Sequence, residues 1–171
     1  RKIIFEKMIP QVQNNIFIYK FLSGLSPVGF SKYNISYVSF KPRESKEYFG
    51  KYEAGEFKEK LEGKIVIKSW KELTSKFPLC ILGDYSISPN SFSGIIMIDN
   101  DSTMDNPSKY VPKILSEFKN RSTILLNQFH GRHGRIFWEN SYEAIQINSV
   151  ESFNKALRLL KHEPQEMKKA G

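Results

Sequence analysis

A single cysteine, Cys80, in a chain of 171 residues excludes any internal disulfide. Its place in the apolar run Leu79-Cys80-Ile81-Leu82 reads as a reduced core thiol in a reducing compartment. No apolar stretch approaches the ~20 residues that a membrane-spanning helix needs, so no membrane role is expected. Histidine is scarce too: beyond His130-x-x-His133, only Cys80 and His162 remain as N/S donors, too few for an ordinary zinc site. There is no G-x-x-x-x-G-K-[ST] phosphate loop, no G-x-S-x-G elbow and no H-E-x-x-H helix. Negative charge is thin at one end, where residues 1–43 carry Glu6 alone against seven Lys or Arg.

What is present is a basic, core-forming chain. An apolar content of 40% argues against global disorder, and the length fits one domain with one core. The net charge is +8. Positive charge concentrates at Arg1, Lys2, Lys7, Lys20, Lys32, Lys41 and Arg43. It returns at Lys119, Arg121, Arg132 and Arg135. Two basic zones this far apart in sequence make one polyanion-binding face if the fold joins them. Between them, residues 44–76 alternate glutamate and lysine in the manner of a solvated surface. The start at Arg1 fits a processed precursor, with removal of an organellar presequence as one expectation.

Patterning predicts strands over Asn15–Phe21, Ile35–Phe40, Lys64–Lys68, Leu79–Leu82 and Gly94–Asp99. Glu44–Glu62 reads as a polar insertion, Trp70–Phe77 as a short helix, and Gly83–Ser93 as a loop. A helix is expected over Asp105–Lys119, with Val111, Ile114, Leu115 and Phe118 on one face and Pro112 in its first turn. Ile124–Phe129 and Arg135–Trp138 read as strands flanking the turn His130-Gly131-Arg132-His133-Gly134. A last helix over Ser149–Lys161 has an Asn148/Glu151 capping box, a buried stripe of Val150, Phe153, Leu157 and Leu160, and Pro164 as its limit. The expected fold is a single compact α/β (α+β) domain over residues 1–164, with a mixed β-sheet flanked by helices and ending in an amphipathic C-terminal helix.

Two local patterns carry candidate chemistry. Asp99-Asn100-Asp101 at a strand end is a D-x-D pair, and strand alternation would aim both carboxylates one way. Such a pair holds Mg²⁺ in nucleotidyl transfer; with His130 or His133 it gives the alternative reading of a primase- or polymerase-like enzyme. That reading needs a third carboxylate, for which Glu143 is the available residue, and a histidine in a strand rather than a turn. The glycine turn suits a phosphate contact better. Gly131 and Gly134 permit positive φ and close backbone approach, and Arg132 and Arg135 offer planar forks matched to phosphate oxygens.

In order and character the chain resembles a known family. Asp105-Asn106-Pro107, Lys113-Ile114-Leu115-Ser116-Glu117-Phe118-Lys119, Gly134-Arg135-Ile136-Phe137 and Asn148-Ser149-Val150-Glu151-Ser152-Phe153 through Leu159-Leu160 and Pro164 resemble the ribosomal stalk-base family. This is the tenth protein of the bacterial large subunit. Lys41-Pro42 stands where that family has Lys-Asn, and the divergence suggests a mitochondrial, fungal-like member. The resemblance implies a non-enzymatic constituent of the large ribosomal subunit that binds rRNA at the stalk base. It would sit beside the eleventh large-subunit protein and anchor the stalk that recruits translational GTPases.

Acidic stalk dimers would attach through a C-terminal extension not in this chain, of which residues 165–171 would be the basic beginning. The implied location is the mitochondrial matrix, or otherwise the cytoplasm. No cofactor, metal or catalytic residue is implied. Expected RNA contacts are Arg1, Lys2, Lys7, Lys41 and Arg43, with Arg132 and Arg135 added from the loop, all acting by phosphate neutralisation.

Overall fold

The computed structural model describes Phe30 and residues 32–100 and 106–169, with side chains described up to Lys161 apart from Pro107 and Ser108. Strands expected at Asn15–Phe21, and the candidates Arg1, Lys2, Lys7 and Asp101, lie outside the described residues. The elements in chain order are β1 (Tyr33–Phe40), β2 (Gly50–Glu53), β3 (Glu56–Glu59), α1 (Leu61–Lys71), α2 (Leu73–Lys76), β4 (Cys80–Ser88) and β5 (Ser91–Asp99). They continue with α3 (Pro107–Phe129), β6 (Glu143–Gln146) and α4 (Val150–Lys169).

Four strands form one sheet in the order β4-β5-β1-β6, and β2-β3 makes a separate hairpin. Among the described residues every pairing is antiparallel, so the fold is α+β as expected while the described sheet is antiparallel rather than mixed. Side-chain alternation along β1 and β5 serves two cores. Val38, Phe40, Phe92, Ile96 and Ile98 face α1 and α3 together with Val66, Trp70, Ile114, Leu115, Phe118 and Trp138. Ile35, Tyr37, Ile95 and Met97 face the other way, against Phe153, Ala156, Leu157 and Leu160 of α4. Both faces are covered, so both strands are buried almost throughout.

Several expected elements take a different form. Lys64–Lys68 lies inside α1, because Val66, Trp70 and Leu73 are buried at helical spacing and that packing overrides the β-branched run Ile65-Val66-Ile67. Gly83–Ser93 is no loop: it supplies most of a β4–β5 hairpin turning at Pro89-Asn90. Ser88, Ser91 and Ser93 are tolerated in the buried sheet because their hydroxyls bond other hydroxyls there. Ser88 and Ser91 Oγ lie 2.6 Å apart, Ser93 donates to Ser39 at 2.9 Å, and Tyr37 donates to Ser93 at 3.2 Å.

The insertion at 44–62 carries the β2–β3 hairpin, with Lys51–Glu53 and Lys58–Glu56 pairs at 2.6 and 2.7 Å, the two-residue spacing that places side chains on one strand face.

The helix expected at Asp105–Lys119 runs to Phe129 and absorbs the strand expected at Ile124–Phe129. Pro107 opens it, so Pro112 falls inside the helix rather than in its first turn; it is exposed there. Polar Ser122 sits within the buried stripe Leu115, Phe118, Leu126 because its hydroxyl donates to the Phe118 carbonyl at 2.6 Å and accepts from Trp138 Nε1 at 2.9 Å.

At the start of α4 the capping box is Ser149/Ser152, one position on from that expected. The Ser152 N–H donates to Ser149 Oγ at 3.1 Å, and the Ser149 N–H to Ser152 Oγ at 3.0 Å. Val150 is exposed, and the helix continues past Pro164 to Lys169.

Candidate nucleic-acid interface

After β1 the chain continues alongside residues 137–139. The Arg43 N–H donates to the Phe137 carbonyl and the Glu139 N–H to the Lys41 carbonyl, both at 2.9 Å, with a bridge at Pro42–Trp138. The strand expected at Arg135–Trp138 is therefore this single bridge in an irregular segment. Trp138 anchors the segment to α3 through Ser122 and a ring contact with Phe118 at 5.7 Å, and to β1 through a ring contact with Phe40 at 5.9 Å.

This return segment joins the two basic zones. Arg43 Nη2 donates to Asn140 Oδ1 at 3.1 Å. From the α3 side, Lys119 Nζ donates to the carbonyls of Glu139 and Asn140 at 2.6 and 3.2 Å, and partial burial pulls the Lys119 pKa below its ordinary value. Lys41 and Arg43 are exposed beside it. Arg43 and Lys119, 76 residues apart in sequence, thus meet at Asn140. Lys119 and Asn140 are the members that sequence reasoning did not single out; Lys119 was legible only as part of a basic run.

The two loop arginines part company. Arg132 is exposed, as is His133. Arg135 turns inward, its side chain 15% exposed, onto Glu44 Oε1 at 3.0 Å. It also bonds the Tyr48 hydroxyl and lies over the Tyr48 and Phe137 rings at 5.2 and 5.5 Å. Glu44 is held at a pKa of about 2, chiefly by hydrogen bonds from Lys46 and Tyr48. Arg135, expected as a phosphate contact, is here matched to a carboxylate and two rings within the fold.

Gly131 has a specific task here. With φ +62° it ends α3: the Arg132 N–H bonds the Asn127 carbonyl at 2.8 Å and the Gly131 N–H the Gln128 carbonyl at 3.2 Å, the double closure of a Schellman cap. His130, just before it, lies with Nε2 3.0 Å from Glu62 Oε1 and ties α3 to α1. Neither histidine stands in a strand.

β5 ends at Asp99 and the Asn100 N–H bonds back to the Lys32 carbonyl at 2.9 Å; Asp101, the second member of the expected D-x-D pair, lies outside the described residues. Glu143 opens the edge strand β6 and is exposed. Among the described residues, no three His, Cys, Asp or Glu side chains group to hold a metal ion, and no helix is long and apolar enough to cross a membrane.

No protein-family model matches the chain, and no curated protein matches it. Among solved structures it is similar to a REP-associated tyrosine transposase bound to a REP hairpin. The TM-score is 0.53 at 10% identity, covering 78% of this chain and 68% of that one. The likeness is one of fold.

Proposed function

We propose that this domain binds a folded nucleic acid through its sugar-phosphate backbone and performs no reaction on it. The observation that carries this reading is the junction at Asn140, whose side-chain oxygen holds Arg43 and whose backbone carbonyl holds Lys119, next to exposed Lys41. Held cations lose less side-chain entropy on meeting phosphates than free ones do. Arg132 and the amino-terminal Arg1, Lys2 and Lys7 extend the same electrostatic reading. The fold shared with a protein solved on a nucleic-acid hairpin makes a hairpin the substrate to try first.

The test is fluorescence anisotropy with RNA and DNA hairpins of the same sequence. Charge reversal, Lys41→Glu with Arg43→Glu, is expected to weaken binding by at least about tenfold with an unchanged circular dichroism spectrum. Unaltered affinity would remove the assignment. The enzyme alternative is separated by assaying primer synthesis with Mg²⁺ or Mn²⁺ in the wild type and in Asp99→Ala with Asp101→Ala. Metal-dependent synthesis lost in the variant would replace the binding reading.

A narrower form of the proposal is the stalk base of the large ribosomal subunit, in mitochondria, next to the eleventh protein. It draws support from the order of the sequence motifs rather than from any contact. Co-sedimentation of the native protein with large subunits in high salt tests it, and absence from that fraction would discard it.

A further inference from the structure

Between α3 and the return segment runs a groove whose lining includes Lys119, Thr123, Ile124, Asn127, Ile136 and Asn140. Two features set it apart from ordinary surface. Ile124 and Ile136 are 57% and 58% exposed, while the neighbouring Leu126 and Phe137 are buried. Asn127 is only 7% exposed; its Nδ2 donates to the Arg135 carbonyl at 2.9 Å, while its Oδ1 is buried without a hydrogen-bond partner. A buried amide oxygen left unpaired costs free energy until a donor reaches it.

Resting on the nucleic-acid reading above, we propose that this groove seats one unpaired nucleobase of the bound strand. The two isoleucines supply apolar contact to the faces of a base. A small turn of the Asn127 side chain would bring its unpaired, buried Oδ1 to an N–H on the base edge, as an exocyclic amino group offers. Arg43 and Lys119, bonded to Asn140 on the rim, meet the phosphates on either side of the base. The charge of the rim selects this occupant over an apolar peptide: two cations, Arg43 and Lys119, are fixed there. A base displaced from its stack into a protein pocket costs least where it is already unpaired, so loops and bulges are the expected targets.

The experiment uses three hairpins, each as RNA and as DNA: fully paired, with one bulged adenine, and with an abasic site in place of that adenine. The wild-type chain is expected to bind the bulged adenine about tenfold more tightly than the abasic hairpin in at least one sugar form. Ile124→Ser with Ile136→Ser, both at exposed positions, should abolish that preference and leave affinity for the paired hairpin unchanged.

Equal binding of adenine and abasic hairpins overturns the base seat while leaving backbone binding standing. A preference that survives the double substitution overturns it too. Failure to bind any hairpin overturns the backbone reading and this one with it. Self-association in sedimentation velocity that is lost in the double variant, with no base preference, would assign the groove to a second copy of the chain and refute the proposal.

Discussion

Replacing Gly94 by alanine tests the packing that holds α1 on the sheet. A Cβ at this position would lie 2.6 Å from Trp70 Cζ2, with Cε2 and Cη2 at 3.1 and 3.2 Å, against ordinary contacts of about 3.5–4.0 Å. Trp70 has little room to yield. It is 1% exposed and its ring is held by Phe92 and Phe118 at centroid distances of 5.3 and 5.4 Å. Relief requires a shift of roughly an ångström in a side chain wedged between two rings, or the equivalent displacement of β5. Overpacking of this kind costs about 1–3 kcal/mol, and each kcal/mol lowers the melting temperature of a chain this size by about 2–4 °C.

Urea unfolding should show a lower midpoint with an unchanged slope. Trp70→Phe alone should also destabilise, by leaving a void. Combined with Gly94→Ala, however, the costs should fall short of their sum by at least about 0.5 kcal/mol, the signature of residues in contact. An unchanged midpoint for Gly94→Ala, or strictly additive costs in the pair, would refute the reasoning.

Other consequences can be checked separately. Burial pushes the Cys80 thiol up to about 12, so alkylation at neutral pH should be very slow in the folded chain and rapid in denaturant; fast native labelling would contradict its place in the core. Glu44, held at about 2 against an ordinary 4.5, stabilises the fold fully above pH 4.5, and that contribution is lost as pH falls towards 2. An NMR titration of its carboxyl ending near pH 4.5 would contradict the Lys46–Glu44–Tyr48 arrangement. Arg135→Gln should cost about 1–2 kcal/mol of stability without altering the salt dependence of hairpin binding. Arg132→Gln should do the reverse, sparing stability and reducing the salt slope by about one; matching behaviour of the two variants would deny their separate roles.

What the sequence disclosed follows from where information is local. Tyr33–Phe40 and the stripe Phe153, Leu157, Leu160 were legible because alternation and helical spacing are properties of neighbouring residues. Lys64–Lys68 reads as a strand but lies inside the helix Leu61–Lys71, whose burial is set by Trp70 meeting Gly94, a contact across the fold. The continuation of α3 through Ser122 depends on a hydrogen bond from Trp138, sixteen residues on. Serines at 86–93 looked like loop because their partners lie on neighbouring strands.

At the site, Lys41 and Arg43 were legible as exposed positive charge. That Arg135 turns away was not, since Glu44 is 91 residues distant. Asn127 and the two exposed isoleucines carry no signal at all in a single sequence. One is polar where an apolar residue would fit, and the others are apolar in segments that read as core.

The most direct measurement of the central claim is hairpin affinity as a function of salt, for the wild-type chain and for Lys41→Glu with Arg43→Glu. Affinity of the wild type should fall linearly on logarithmic axes, and the slope of the variant should be shallower by about two phosphate contacts. Binding that is flat in salt, or a slope shared by the two proteins, would contradict the account.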